Sequence, residues 1–92
     1  MELKQLEKIA KALSDVNRLK ILQHMQGNKG HIECMDIAGI LNLAQPSISH
    51  HIKKLADAGL IEAQKDGRYH HYTLNKKLWK AYLQALANMH QQ

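Results

Sequence analysis

Apolar residues recur every three or four positions in five stretches of the chain, and each stretch predicts an amphipathic helix. The first helix ends near Ser14-Asp15, two good N-terminal caps for the second, which gives way to a loop at residues 27–30. The third runs from about Glu33 to Leu41 and the fourth from about Gln45 to Ala58. Asn75 is the predicted cap of the fifth. The pattern therefore indicates a mainly α-helical protein.

Residues 62–74 predict a small β-hairpin between the fourth and fifth helices. Asp66-Gly67 is a strong turn signal, and it lies between stretches that can each form a strand. After the turn, side chains that can pack on the helices alternate with side chains that can meet solvent. Lys65 and Arg68 flank the turn and would bring positive charge to the hairpin tip. The predicted order is four helices, two strands and a fifth helix.

The fourth predicted helix has two chemically different faces. Ile48, Ile52 and Leu55 recur at i, i+4 and i+7 and predict an apolar stripe that packs inward. The opposite side carries Gln45, Ser47, Ser49, His50 and Lys53. Pro46 suits the first turn of a helix and Gly59 ends it. A helix that enters the DNA major groove needs short hydrogen-bonding groups and cations at its N-terminal end, so this helix is predicted to recognise DNA. An ordinary surface helix is the alternative.

The hairpin strengthens this interpretation because of its position in the chain. A basic hairpin that follows a helix-turn-helix is typical of a wing, whose cations meet the DNA backbone or the minor groove. Arg68 is therefore predicted to contact DNA together with the fourth helix. A solvated surface hairpin is the alternative interpretation.

Four sequence motifs together resemble the ArsR/SmtB family of bacterial repressors. They occupy residues 12–22, 44–53, 58–61 and 66–74, and the resemblance spans approximately residues 5–90. It implies a homodimeric winged helix-turn-helix that represses an operon. It also implies that the protein leaves its operator when an effector binds, which in this family is often a metal ion.

The first and last helices have more apolar surface than a winged helix needs for its own core. The last helix presents a broad apolar face made of Leu78, Trp79, Tyr82, Leu83, Leu86 and Met89. We predict that residues 1–92 form one winged helix-turn-helix domain that dimerises through these two helices. The predicted interface residues are Leu3, Leu6, Trp79, Leu83 and Leu86. The alternative is that both helices complete a monomeric core.

Length, charge and cysteine content agree with a small DNA-binding protein. Ninety-two residues correspond to one domain, and 13 Lys and Arg against 8 Asp and Glu give a formal charge of +5. The expected partner is double-stranded DNA, with a palindromic operator for a dimer. One cysteine excludes an intramolecular disulfide, and we see neither a signal peptide nor an apolar run of membrane-spanning length, so a cytoplasmic protein is expected. No catalytic constellation is visible, and an enzyme is not expected.

The resemblance also shows where this chain departs from the family. One family metal site uses two cysteines on the third helix, and Glu33 and Met35 stand at those positions here. Cys34, between them, falls on the apolar stripe with Ile37 and Leu41 and is predicted to be a small core residue. The second family site is on the last helix, where the matching positions are approximately Lys76, Leu78, Met89 and Gln92. These residues do not make a zinc site.

Seven histidines are scattered along the chain, and two pairs are adjacent, His50-His51 and His70-His71. Neighbouring side chains point in different directions on a helix or a strand, so neither pair is a natural chelate. We therefore predict no metal site and no cofactor, and the effector, if there is one, is unidentified. A novel site made by His31, Glu33, Asp36 and an N-terminal residue of a second subunit is one open alternative. A metal- or redox-responsive repressor with an atypical site and a winged helix that binds proteins are two others.

Overall fold

The computed structural model describes residues 1–67 and 69–90, and for Tyr69 only the backbone. The elements are α1 (Leu3–Ala12), α2 (Val16–Gly27), β1 (His31–Glu33), α3 (Cys34–Leu41), α4 (Gln45–Asp57), β2 (Ile61–Asp66), β3 (Tyr69–Leu74) and α5 (Lys76–His90). All five predicted helices and the hairpin are present. Within the described ranges, no helix has both the length and the apolar character that crossing a membrane requires.

Local hydrogen bonds explain where the helices begin and end. The Asp15 carboxylate accepts hydrogen bonds from the backbone N–H groups of Asn17 and Arg18, at 2.8 and 3.3 Å, and so caps α2. The side chain of Asn75 accepts a bond from the N–H of Leu78 and caps α5 in the same way. Gly59 follows α4 at φ +81°, in the left-handed region, where a Cβ atom would lie 3.0 Å from a methyl carbon of Leu78.

The sheet has three antiparallel strands in the order β1-β3-β2, and its first strand was not predicted. The predicted order of four helices, two strands and a helix is wrong at this point, because β1 stands between α2 and α3. Ile32 of β1 is paired with Tyr72 of β3. A strand of three residues is too short for an alternating pattern to reveal, and only its pairing with a distant strand defines it.

The core lies between the helices and the inner side of the sheet. Eight side chains are fully buried there: Ile9, Ile21, Met25, Ile32, Ile37, Leu55, Leu60 and Ile61. They come from α1, α2, β1, α3, α4, the start of β2 and Leu60 just before it, so one core joins the helix-turn-helix to the sheet. Tyr82 of α5 is also buried against it. The architecture is a winged helix-turn-helix with a helix added at each end.

Candidate DNA-binding surface

Helices α3 and α4 form a helix-turn-helix whose turn is residues 42–44. Asn42 ends α3 in the left-handed conformation, at φ 52°, and its N–H donates to the carbonyl of Ala38. Helix α4 then buries Ile48, His51, Ile52 and Leu55. This buried stripe orients α4 on the rest of the protein and determines which side chains it presents to solvent.

All five α4 residues predicted to face DNA are exposed: Gln45, Ser47, Ser49, His50 and Lys53. At about 100° per residue, His50 and Lys53 lie opposite the buried stripe, whereas Ser47 and Ser49 lie on its two flanks. Gln45 and Ser49 line a cleft beside α3 and β3, and the Gln45 amide is 3.4 Å from the Ser49 hydroxyl. The polar residues therefore cover the outer side of α4 and continue round both flanks.

Asp57 is the only acidic residue of α4, all of which is described. Its carboxylate is 3.1 Å from the Lys53 ammonium. Both side chains are exposed, at 75 and 49 %. Exposed pairs of this kind contribute only about 0.2–1 kcal/mol, so Lys53 can exchange its partner for a phosphate.

The wing is formed by β2 and β3. The strands remain paired as far as Asp66 with Tyr69, and the chain turns at Gly67, which has φ 67°. Lys65 and His70 form the next pair away from the turn, and both are exposed. Arg68, predicted to contact DNA, lies outside the described residues.

The structure buries His51 on the inner side of α4, with only 8 % of its surface exposed. Its Nδ1 atom is 3.2 Å from a terminal guanidinium nitrogen of Arg18 and 3.7 Å from a carboxylate oxygen of Asp15. Burial alone would raise the pKa of Asp15, but the hydrogen bonds from the backbone of Arg18 and Asn17 hold it below its ordinary value. The helical periodicity of α4 could have placed His51 beside the buried stripe. The partners of His51, Arg18 and Asp15, are too distant in sequence to predict.

Cys34 is exposed, so the prediction that it is a small core residue is wrong. It is the first residue of α3 and lies at the mouth of a cleft of about 240 Å³ that is bounded by α4 and Tyr72. Burial raises the pKa of the Tyr72 hydroxyl, and the neighbouring Cys34 side chain raises it further. Ile37 and Leu41 of the same stripe are buried as predicted.

The candidate metal-site residues are not brought together. His31 is 3.9 Å from Glu33, whereas Asp36 is 4.0 Å from His24 on α2. Over residues 1–67 and 69–90, no three His, Cys, Asp or Glu side chains are grouped so that they could hold a metal ion. A site completed by a second subunit stays a prediction.

Helices α1 and α5 contact each other and carry a second exposed surface, which is apolar. Leu3, Leu83 and Leu86 are 74, 56 and 38 % exposed. Leu6 and Trp79, also predicted to lie in a dimer interface, are half-buried against the core of their own chain. The predicted interface residues thus divide into three that leave apolar surface in solvent and two that already pack inward.

Both the sequence and the fold are similar to those of known proteins. The model of a family described as bacterial regulatory protein, arsR family, matches residues 15–63, more than half of the chain. The chain is similar to the arsenical resistance operon repressor of Staphylococcus aureus, with 37% identity over 86 residues that cover 94% of this chain and 81% of the repressor.

Two solved structures resemble the whole fold. The crystal structure of an ArsR family transcriptional regulator matches with a TM-score of 0.84 and 29% identity, covering 98% of this chain and 91% of the regulator. The homodimeric winged helix-turn-helix DNA-binding domain of a possible ArsR-family regulator from Mycobacterium bovis matches with a TM-score of 0.73 and 25% identity, covering 96% of this chain and 82% of that domain.

Proposed function

Because this chain belongs to the ArsR family of bacterial regulatory proteins, we propose that it is a dimeric, sequence-specific DNA-binding repressor of transcription. The observation that carries the proposal is helix α4, whose exposed side chains between Gln45 and Lys53 are all polar except Pro46, while its inner side is buried. A polar and cationic outer side suits base edges and phosphates. It does not suit a protein-binding helix, which would present apolar anchors. The family consists of regulators rather than enzymes.

The exposed side chains of α4 would divide the contacts between bases and backbone. Ser47, Ser49 and His50 would approach base edges in the major groove, with Gln45 near the turn. Lys53 would contact a phosphate once it leaves Asp57. Arg68, for which sequence position is the only argument, would contact a phosphate or the minor groove.

The proposed dimer is formed by α1 and α5 of two copies of this single domain. Support comes from the exposed apolar side chains of these helices and from the homodimeric relative of the same fold. A two-fold axis would place the two α4 helices about 34–36 Å apart, in successive major grooves, and the operator would be palindromic.

The effector is not identified by this chain's residues. The Staphylococcus aureus relative is a repressor of arsenical resistance, but this chain has one cysteine, and Glu33 and Met35 flank it. We propose that the chain lacks the usual metal sites of its family, because a lone thiolate does not make the multidentate site that a soft ion requires.

The proposal is tested by removing one cation from α4. Lys53→Ala should weaken binding to all DNA duplexes and lower the slope of log affinity against log salt concentration by about one unit. A variant that lacks one phosphate contact releases about one counterion fewer when it binds. The measurement is fluorescence anisotropy with a duplex selected from a random pool on the wild-type protein, over a series of salt concentrations.

The matched control is Lys80→Ala, which removes an exposed lysine of α5. It should leave the slope unchanged. If Lys53→Ala also leaves the slope unchanged, Lys53 does not contact DNA. If the wild-type protein selects no sequence and binds no duplex, the proposed function is wrong.

The exposure of Cys34 supports a second candidate, a thiol- or metal-responsive repressor with an atypical site. Cys34 shares its cleft with Gln45 and Ser49 of α4, so a modified thiol would lie close to the proposed DNA contacts. Because a lone thiolate does not make a multidentate metal site, we nevertheless expect Cys34→Ala to leave operator affinity and its response to Zn²⁺ or arsenite unchanged. The second candidate is correct if the wild-type protein releases DNA on addition of the ion or of an oxidant and Cys34→Ala does not.

A further inference from the structure

Helix α4 carries one buried polar side chain, His51, which belongs to the stripe that packs inward. In the described part of the chain it is also the only buried residue that is polar or charged. Buried polar groups are expensive unless they are hydrogen-bonded. The partner of the His51 ring is Arg18 of α2, at 3.2 Å from Nδ1.

Arg18 joins three helices through its guanidinium group. Its Nε donates to the carbonyl of Ala12 at 2.6 Å, and one terminal nitrogen is 3.3 Å from the carbonyl of Lys11. Both carbonyls belong to the last turn of α1, where backbone acceptors have no partner within the helix. The other terminal nitrogen reaches His51. One side chain of α2 therefore connects the end of α1 to the middle of α4.

The contact with Arg18 requires a hydrogen-bond acceptor at Nδ1 of His51. A guanidinium group has only donors, so the ring atom that faces it has to accept. Nδ1 can accept only when the ring is neutral and its proton is on Nε2. Asp15 does not replace Arg18 as a partner, because 3.7 Å is too long for a hydrogen bond.

We propose that Arg18 and neutral His51 are positioning residues that hold α4 in the orientation needed for DNA binding and connect it to α1. The inference rests on the proposed function, because it concerns how the DNA-binding helix is held. Neither side chain contacts DNA in this arrangement. Their role is to keep α4 correctly placed in most molecules. The apparent affinity for DNA falls in proportion to the fraction of molecules in which α4 is correctly placed.

Protonation of His51 would break the connection. A proton on Nδ1 removes the acceptor and brings two positive charges to 3.2 Å. The ring itself faces Arg18 and the carboxylate of Asp15 in the α2 cap, and the centroid of the His50 ring is 5.6 Å away. Arg18 in turn lines a cleft with charged residues of two neighbouring helices, Lys8 and Lys11 of α1 and Lys54 and Asp57 of α4. Among the residues that the structure describes, α3 and β2 add no hydrogen bond or ion pair to the ring.

A proton on Nδ1 would repel the Arg18 guanidinium and attract the Asp15 carboxylate, whose oxygen is 3.7 Å away. To pair with Asp15 instead, the ring has to move away from Arg18 and shift α4 or rotate within it. We therefore expect the affinity for DNA to fall as the pH decreases through the range in which histidines become charged.

The experiment compares three variants with the wild-type protein. His51→Asn keeps an acceptor near the position of Nδ1 but cannot be protonated. His51→Leu keeps apolar volume without an acceptor, and Arg18→Lys keeps the charge without the group that reaches three acceptors. Affinity for the selected duplex is measured by anisotropy at about pH 8 and about pH 5.5, at constant salt concentration.

We expect the wild-type protein to lose about tenfold more affinity than His51→Asn between the two pH values, because a hydrogen bond to a charged group is lost only in the wild type. His51→Leu and Arg18→Lys should bind more weakly than the wild-type protein at pH 8 already. His90→Asn makes the same exchange at an exposed histidine of α5 and should keep the wild-type pH profile.

Circular dichroism and thermal unfolding at both pH values exclude loss of the fold as the cause. If the wild-type protein and His51→Asn lose affinity equally, the inference is wrong, whereas the proposed function is unaffected. If the wild-type protein does not bind the duplex at pH 8, the proposed function itself is wrong. If His51→Asn fails to fold, His51→Gln replaces it, because it offers an acceptor on a longer side chain.

Discussion

Replacing Leu83 with aspartate should convert the protein to a monomer and lower its affinity for a two-half-site operator by at least about a hundredfold. Leu83 is 56 % exposed on α5, and Leu86, one turn further, is 38 % exposed. In the proposed dimer both become buried, and a carboxylate buried without a partner is strongly unfavourable. Without a dimer the two α4 helices bind independently, and the gain from bivalent binding, about 10²–10⁴-fold, is lost.

Sedimentation velocity at micromolar concentration measures the dimer, and titration of the selected duplex measures the affinity. Gln84→Asp is the matched control, because it introduces the same charge one residue later, on a different face of α5. It should remain a dimer. A wild-type protein that sediments as a monomer would contradict the proposed interface and leave the palindromic operator without support.

Replacing His50 with alanine should reduce specific binding by about 1–3 kcal/mol, or up to a hundredfold, while nonspecific binding changes much less. His50 is exposed on the side of α4 opposite the buried stripe, in the first half of the helix. A residue there can reach base edges, and loss of a base contact affects only the preferred sequence. The His50 ring contacts the ring of His51 edge-on, with centroids 5.6 Å apart, but the His50 side chain is exposed, so the fold should be kept.

The measurement is the ratio of affinity for the selected duplex to affinity for a scrambled duplex of the same length. His90→Ala removes an exposed histidine from α5 and should leave this ratio unchanged. If His50→Ala weakens both affinities equally, His50 contacts the backbone rather than a base. If neither affinity changes, His50 is not part of the interface.

Much of this fold could be predicted from the sequence, because local interactions determine it. Helix α4 extends from Gln45 to Asp57, one residue short of the predicted end, and Gly59 follows it in the left-handed conformation. The Asp15 and Asn75 caps act within three residues of themselves. The five polar residues of α4 were also predictable, since helical periodicity separates them from the buried stripe.

The sequence by itself thus determined the helices, their caps, the hairpin and the polar face of α4, whereas contacts between distant segments decided the rest. Strand β1 exists because Ile32 pairs with Tyr72, and three residues alone have no pattern that predicts a strand. Cys34 lies on the predicted stripe, but it is the first residue of α3 and lines an open cleft, where it is exposed. His51 is buried because Arg18, 33 positions earlier in the chain, supplies a partner. Periodicity predicts which residues share a face, but the elements that pack against that face determine the burial and the partners of each side chain.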